Sequence, residues 1–242
     1  MDSNIETQIR DYNIATYRSL RRAIGYMGIL LPIVLVALSF IPFFKTPVQA
    51  SISHYYYTNL REIFTGTLCG VGLFLIRYKG YPNKSLLKND GFLTNVAGFM
   101  AFGVALVPTN PEQAAQKVYT IIPSSEPLLG WLHYSFAALL FLVFSILAIK
   151  VFTIGQANNP DIPISLINEN RIYRLCGYSI IVFIALVPIS RRLHLFPYST
   201  LLFEALSLFT FGFAWLIKGR AFGDEGTTGA KLYREHNTKT EQ

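Results

Sequence analysis

Six long runs of apolar residues divide the sequence and limit the folds that are open to it. Each run, taken with its flanks, approaches the 20 or so residues with which an α-helix crosses the hydrocarbon core of a bilayer. The runs are Leu30–Phe44, Phe64–Ile76, Gly91–Val107, Leu132–Phe152, Cys176–Ile189 and Leu201–Ile217. Only 14% of the residues are charged, against about a quarter in soluble domains. The sequence therefore predicts an all-α integral membrane bundle of six transmembrane helices.

The basic residues are distributed unevenly among the segments between these runs. If the N-terminus lies inside, five of the 21 Lys and Arg residues fall in outer segments and the remaining sixteen fall in inner ones. The outer five are Lys45, Arg61, Lys117, Arg191 and Arg192. Because Lys and Arg favour the cytoplasmic side, both termini are predicted to be cytoplasmic. Outside the apolar runs no basic stripe with interleaved aromatic residues occurs, so we predict no nucleic-acid partner despite the net charge of +7.

The distribution of charged and apolar residues also suggests three regions. Residues 1–22 contain several charges before any apolar run, which is not typical of a cleavable signal peptide and predicts a cytoplasmic segment, either a short surface helix or a flexible stretch. Residues 23–219 are predicted to form the six-helix membrane domain. Residues 220–242 have little apolar content and predict a flexible cytoplasmic tail.

Small residues in the second and third runs predict that these two helices pack closely. The second run contains Gly66, Gly70 and Gly72, and the third places Ala97, Ala101 and Ala105 on one stripe beside Gly98. Small residues four apart let helix backbones approach each other in lipid. This pattern predicts packing and does not by itself indicate any chemistry.

Polar residues from separate helices are predicted to meet at the outer ends of the helices. If the second helix begins near Ser51, then His54, Thr58 and Glu62 lie on one face of it. His133 and Glu204 lie in the first turns of the fourth and sixth helices. Ionisable groups within membrane spans are expensive and by default face the bundle interior. We therefore predict an outward-facing polar pocket; the candidate ligand-binding residues are Ser51, His54, Thr58, Arg61, Glu62, His133 and Glu204.

Other polar and aromatic residues near helix ends are typical of the membrane interface. We interpret Tyr55, Tyr56 and Tyr57 as an aromatic collar, because consecutive side chains on a helix point in different directions. Trp215 and Lys218 are interpreted as part of the inner interfacial belt. The acceptors Glu62 and Glu204 are expected to pair with Arg61 or with an arginine of the last outer loop.

A metal site at the outer ends is a weaker alternative. Histidine and carboxylate side chains are suitable zinc ligands, and a zinc with an open position would support hydrolysis. The candidate ligands are His54, His133, His194, Glu62 and Glu204. No HxxxH or HExxH spacing occurs among them, so no cofactor is predicted and zinc is kept as an alternative.

The sequence resembles a bacterial family of multi-pass membrane proteins of unknown function. The residues that carry the resemblance are Ser51–Thr58 with Arg61–Phe64, Gly72–Leu75, Tyr78–Tyr81, Asn95–Gly98, Val104–Thr109, Leu132–His133, Arg171–Gly177, Phe203–Glu204 and Trp215–Gly219. This resemblance covers nearly the whole membrane domain and implies a bacterial inner-membrane location. A more distant likeness is to the CREST membrane hydrolases, which have seven spans and a histidine-bound zinc with an HxxxH pair on the last helix. Here six spans are predicted, and the last has no histidine.

The leading functional hypothesis is recognition of a lipid or other small amphiphile in the outward-facing pocket. Glu204 and Glu62 would supply negative charge there, and His133 and Arg61 would supply hydrogen bonds. One alternative is a membrane-embedded hydrolase, with or without zinc. Another is a channel or transporter formed by several copies of the chain, with Asn95 and the glycines of the second helix lining a path. The expected partners are membrane lipids and further copies of the same chain.

Overall fold

In the computed structural model, residues 2–80, 83–110, 120–122, 127–154 and 169–222 are described. Within these residues the chain forms six α-helices and no strand, which confirms the all-helical prediction. The helices are α1 (Asp2–Ser39), α2 (Arg61–Arg77), α3 (Asp90–Leu106), α4 (Pro127–Ile146), α5 (Glu169–Leu193) and α6 (Ser199–Lys218). A single π-helical turn, Leu147–Val151, extends α4.

Four of the helices are long and apolar enough to cross a membrane. Their candidate spans are Ala15–Ser39, Leu128–Val151, Asn170–Leu193 and Ser199–Lys218. Helices α2 and α3 have 17 residues each, which at 1.5 Å per residue gives about 25 Å. That length is at the lower limit for crossing a hydrocarbon core of about 30 Å.

Helix α1 differs from the expectation for the N-terminal region. It runs without interruption from Asp2 to Ser39, so residues 2–22 form its first half and not a separate surface helix or a flexible segment. Residues 2–22 include neither glycine nor proline, the residues that most often end a helix. Of the predicted C-terminal tail, residues 223–242 lie outside the described part of the chain.

The six helices form a closed ring. Each helix packs against its neighbours along the chain, and α6 returns to pack against α1. Helices adjacent along the chain run antiparallel. The end of α2 contacts the start of α3 through Tyr78 and Asp90, whereas Tyr56, just before α2, contacts Leu106 at the end of α3. The bundle therefore has two ends. We call them the His133 end and the Asp90 end, after a buried polar residue at each.

Glycine pairs allow the closest helix crossings. At the α1–α6 crossing, a Cβ built on Gly212 would lie 2.5 Å from the Gly25 carbonyl oxygen. At the α2–α3 crossing, a Cβ on Gly98 would lie 2.7 Å from the Gly72 carbonyl oxygen. The close approach of α2 and α3 agrees with the prediction from their small residues. The prediction is wrong for Gly66, because a Cβ there would meet no atom within 4 Å.

Aromatic side chains fill the ring towards the Asp90 end. Trp215 is 1% exposed and packs edge-on against Tyr78 and Phe152 at centroid distances of 5.6 and 5.2 Å. Phe211 stacks on Phe144 across the ring at 3.8 Å. The assignment of Trp215 to an interfacial belt is therefore wrong, because its face of α6 is turned into the bundle.

Candidate functional site

The segment between α1 and α2 folds into the His133 end. It contains a short 3-10 helix, Ser53–Tyr57, and α2 begins only at Arg61. Thr58 separates the two, because it is extended and its hydroxyl accepts from the Leu60 N–H at 3.2 Å. The predicted single helical face of His54, Thr58 and Glu62 is therefore wrong. His54 is buried, Thr58 is half-buried, and Glu62 is exposed in the first turn of α2.

The three consecutive tyrosines are buried inside the protein. A 3-10 helix turns by about 120° per residue, so each ring reaches a different neighbour. The hydroxyl contacts are Tyr55 with Ser39 Oγ, Tyr56 with the Leu106 carbonyl and Tyr57 with the Thr109 carbonyl. Burial raises the pKa of Tyr57 to about 12, so its hydroxyl stays protonated and donates. The interpretation of these residues as an interfacial collar is wrong, because they attach this segment to α1 and to the end of α3.

His133 is fully buried and links the segment to α3. Its Nδ1 lies 2.7 Å from the Val107 carbonyl oxygen, which can only accept, so Nδ1 carries the hydrogen. Nε2 of the neutral ring is then an acceptor, and the Ser53 hydroxyl donates to it at 3.0 Å. Ser53 is half-buried. It was not among the candidate residues, since its position in the sequence does not distinguish it from Ser51.

Glu204 binds the other side of the same turn. Both carboxylate oxygens accept from the Ser51 hydroxyl at 2.9 Å, and one also accepts from the Ile52 N–H at 2.6 Å. The Ser53 N–H in turn donates to Ser51 Oγ at 3.1 Å. Ser51 and Glu204 are therefore in contact, as predicted. The two residues form one network with Ser53 and His133, in which Glu204 is half-buried.

The remaining candidate residues lie around this network. Arg61 is half-buried, with its guanidinium over the Tyr56 ring at 4.9 Å from the centroid. Arg191 donates to the Tyr134 hydroxyl at 2.9 Å. His194 is exposed just beyond α5, in the left-handed backbone region with φ of 48°.

The structure does not bring the proposed zinc ligands together. Among the described residues, no three His, Cys, Asp or Glu side chains are grouped closely enough to hold a metal ion. Both ring nitrogens of His133 are engaged in hydrogen bonds, and His194 and Glu62 are on the surface. The described geometry therefore gives a zinc site no support.

The network contains one hydroxyl that can serve a ligand or a reaction. The Val107 carbonyl holds the His133 imidazole in one tautomer, and Ser53 is half-buried whereas its acceptor His133 is completely buried. A neutral imidazole in contact with a hydroxyl can accept its proton. The arrangement is thus suited to hydrogen-bond recognition of a polar group, and also to activation of Ser53 as a nucleophile.

Comparison with known proteins adds no relative, since no family model, curated protein or solved structure matches this chain. The likenesses to bacterial multi-pass proteins and to the CREST hydrolases remain expectations from the sequence.

Proposed function

We propose that this chain is a multi-pass protein of a bacterial inner membrane that binds a lipid or other small amphiphile at its His133 end. All six helices would cross the membrane with both termini in the cytoplasm, so that the His133 end faces outward. The four long apolar helices and the distribution of Lys and Arg support this orientation.

The observation that carries the proposal is a half-buried polar network at an end of the bundle where several apolar side chains are also exposed. The polar centre is formed by Ser53 and Glu204. The exposed apolar residues at the same end include Phe40, Phe43, Leu128, Trp131, Leu193 and Phe196. Ligand sites are lined mostly by apolar side chains with a few placed polar groups, and exposed apolar patches often mark interaction sites. A polar headgroup would contact Ser53 and Glu204, and the acyl chain would lie against exposed apolar side chains at the same end.

Replacement of Ser53 tests this binding site. The full-length protein is purified in a mild detergent, and retained lipid is measured by native mass spectrometry. Ser53→Ala removes one hydrogen bond to the headgroup, so we expect about a tenfold loss of retained lipid. Ser135→Ala is the matched control, because Ser135 lies on α4 near the same end and donates only within its own helix, to the Trp131 carbonyl. Equal retention by both variants would contradict the proposal.

A second candidate function is ester hydrolysis, favoured by the 3.0 Å contact between Ser53 Oγ and His133 Nε2. Ser53 Oγ would attack the carbonyl carbon of an ester while its proton moves to Nε2. The tetrahedral intermediate would then release the alcohol, which takes the proton from the imidazole. Water, deprotonated by the same nitrogen, would cleave the acyl–serine bond and restore the hydroxyl.

A serine-directed fluorophosphonate probe separates the two functions. If Ser53 is a nucleophile, the probe labels the wild-type protein at Ser53. We expect His133→Gln to label at least 100-fold more slowly, because general-base catalysis contributes about 10²–10⁴-fold. Labelling that persists in Ser53→Ala, or is absent from the wild-type protein, would contradict hydrolysis by Ser53 while leaving amphiphile binding intact.

A further inference from the structure

A second polar site lies at the Asp90 end, which is the opposite end of the bundle from His133. Here the structure has a cavity of about 90 Å³, which is large enough for several water molecules. Its lining includes Arg21, Asn83, Lys88, Asp90 and Lys218, with Val151 of the π-helical turn. Asn83 and Lys88 are exposed, so they mark the side on which the cavity reaches the surface.

Asp90 is held in a fixed position in this cavity, and only one of its two carboxylate oxygens has a hydrogen-bond donor. It is 3% exposed, and its Oδ2 accepts from the Tyr78 hydroxyl at 3.1 Å. The backbone of Gly80 packs so closely that a Cβ there would lie 2.4 Å from Oδ2. Oδ1 is buried and has no hydrogen-bond partner among the described residues. A buried acceptor without a partner is unfavourable, so Oδ1 indicates a missing donor.

Tyr78 connects Asp90 to the first of three cations. Arg21 donates to the Tyr78 hydroxyl from Nε at 3.0 Å and from Nη2 at 2.6 Å. Burial raises the pKa of Tyr78, so its hydroxyl remains protonated and donates to Asp90. The Arg21 guanidinium is thereby fixed beside the cavity, with Nη1 not used in either bond.

The other two cations are lysines at different depths. Lys218 is half-buried; it donates to the Phe152 carbonyl at 2.9 Å and lies 5.7 Å from the Phe152 and Tyr173 ring centroids. Lys88 is exposed at the mouth. Three cations around one carboxyl group leave an excess of positive charge, which attracts an anion. The unpaired Oδ1 adds a second requirement, because the anion must also offer a hydrogen-bond donor there.

We propose that this cavity binds a phosphate group that carries one proton. Its O–H would donate to Asp90 Oδ1, and its charged oxygens would accept from Arg21, Lys88 and Lys218. Two sources share this chemistry: inorganic phosphate, and the phosphate monoester headgroup of a phosphatidic acid. Sulfate and phosphodiester lipids carry no such proton at neutral pH, so they would leave Oδ1 unpaired and place an anionic oxygen against it.

Binding of inorganic phosphate and of lipid to the full-length protein tests this site in two arms. In the first arm, radiolabelled inorganic phosphate is titrated against the purified protein in detergent, with sulfate as competitor. In the second arm, the protein is equilibrated with vesicles that contain phosphatidic acid and phosphatidylglycerol in equal amounts, and retained lipid is identified by native mass spectrometry. We expect at least a tenfold preference for phosphate over sulfate, or for phosphatidic acid over phosphatidylglycerol.

Two lysines of the same loop provide the variant and its control. Lys88→Gln removes a cation from the mouth and should weaken binding about tenfold, whereas Lys84→Gln changes an exposed lysine outside the cavity lining and should leave binding unchanged. Both positions are exposed, so neither substitution threatens folding. Asp90→Asn, if it folds, should abolish the discrimination against sulfate or phosphatidylglycerol.

The outcomes are distinct. Saturable phosphate binding that Lys88→Gln weakens would assign the free anion. Retention of phosphatidic acid without binding of inorganic phosphate would assign the lipid headgroup. Absence of both, equal binding of sulfate, or the same effect from Lys84→Gln as from Lys88→Gln would overturn the proposal. None of these results depends on amphiphile binding at the His133 end.

Discussion

Replacing Trp215 with alanine is expected to lower the free energy of unfolding by about 3–5 kcal/mol, the range for removal of a large buried aromatic side chain. Trp215 contacts the rings of Tyr78, Phe152 and Phe211 at centroid distances of 5.6, 5.2 and 6.1 Å, so its loss leaves a cavity with several faces. Edge-on aromatic pairs contribute beyond the area that they bury. The measurement is SDS titration of the protein in mild detergent micelles, followed by far-UV circular dichroism.

The only other tryptophan provides a matched control. Trp131 is 69% exposed. Among the described residues, its ring packs only against that of Tyr134, at a centroid distance of 6.3 Å. Trp131→Ala should therefore change the free energy of unfolding by about 0.5 kcal/mol or less, as is usual for surface substitutions. Equal destabilisation by the two variants would show that Trp215 does not pack as described.

Replacing Gly212 with leucine is expected to destabilise the α1–α6 contact by about 3 kcal/mol, at the upper end of the usual 1–3 kcal/mol for overpacking. A Cβ at this position would already lie 2.5 Å from the Gly25 carbonyl oxygen and 2.6 Å from Ile29 Cγ1. The carbonyl belongs to a helix backbone and cannot rotate away, so the two helices must separate. The same SDS titration measures the effect.

Gly66→Leu is the control for this substitution, because it adds the same side chain to a helical glycine with nothing within 4 Å of its Cβ. Loss of glycine from a helix interior is favourable by roughly 0.5–1 kcal/mol, so this variant should be as stable as the wild-type protein or slightly more stable. If Gly212→Leu were as stable as Gly66→Leu, then α1 and α6 would not pack as closely at Gly25 and Gly212 as described.

The helices could be predicted from the sequence because each apolar run carries its own signal. Each of the six runs overlaps one α-helix, and the small residues of the second and third runs correctly predicted that α2 and α3 pack closely, which they do at Gly72 and Gly98. The Gly25–Gly212 crossing was missed, since its two glycines lie on helices that are far apart along the chain. Which of the small residues face a partner depends on the arrangement of all six helices.

The candidate site was predicted only in part, because its contacts join residues that are distant in sequence. The prediction that polar residues meet at the outer helix ends correctly placed Ser51, His133 and Glu204 at one end of the bundle. The same prediction assumed a helix from Ser51 onward. It therefore placed Glu62 in the pocket and the three tyrosines on the surface. A 3-10 turn reverses both assignments. Asp90 and Tyr78 were not selected, because an aspartate at the start of a helix and a tyrosine just after one are common and do not by themselves indicate a site.

Closure of the ring by α6 has a consequence for biogenesis. Helices emerge from the ribosome in chain order, so α1 is present long before the helix that covers Gly25 and Gly28. At a five-helix stage the Ser51 turn also lacks Glu204, its carboxylate acceptor. Until α6 arrives, this face of α1 lacks the helix that packs on it. Arrival of the last helix therefore completes both the scaffold and the polar network in one step.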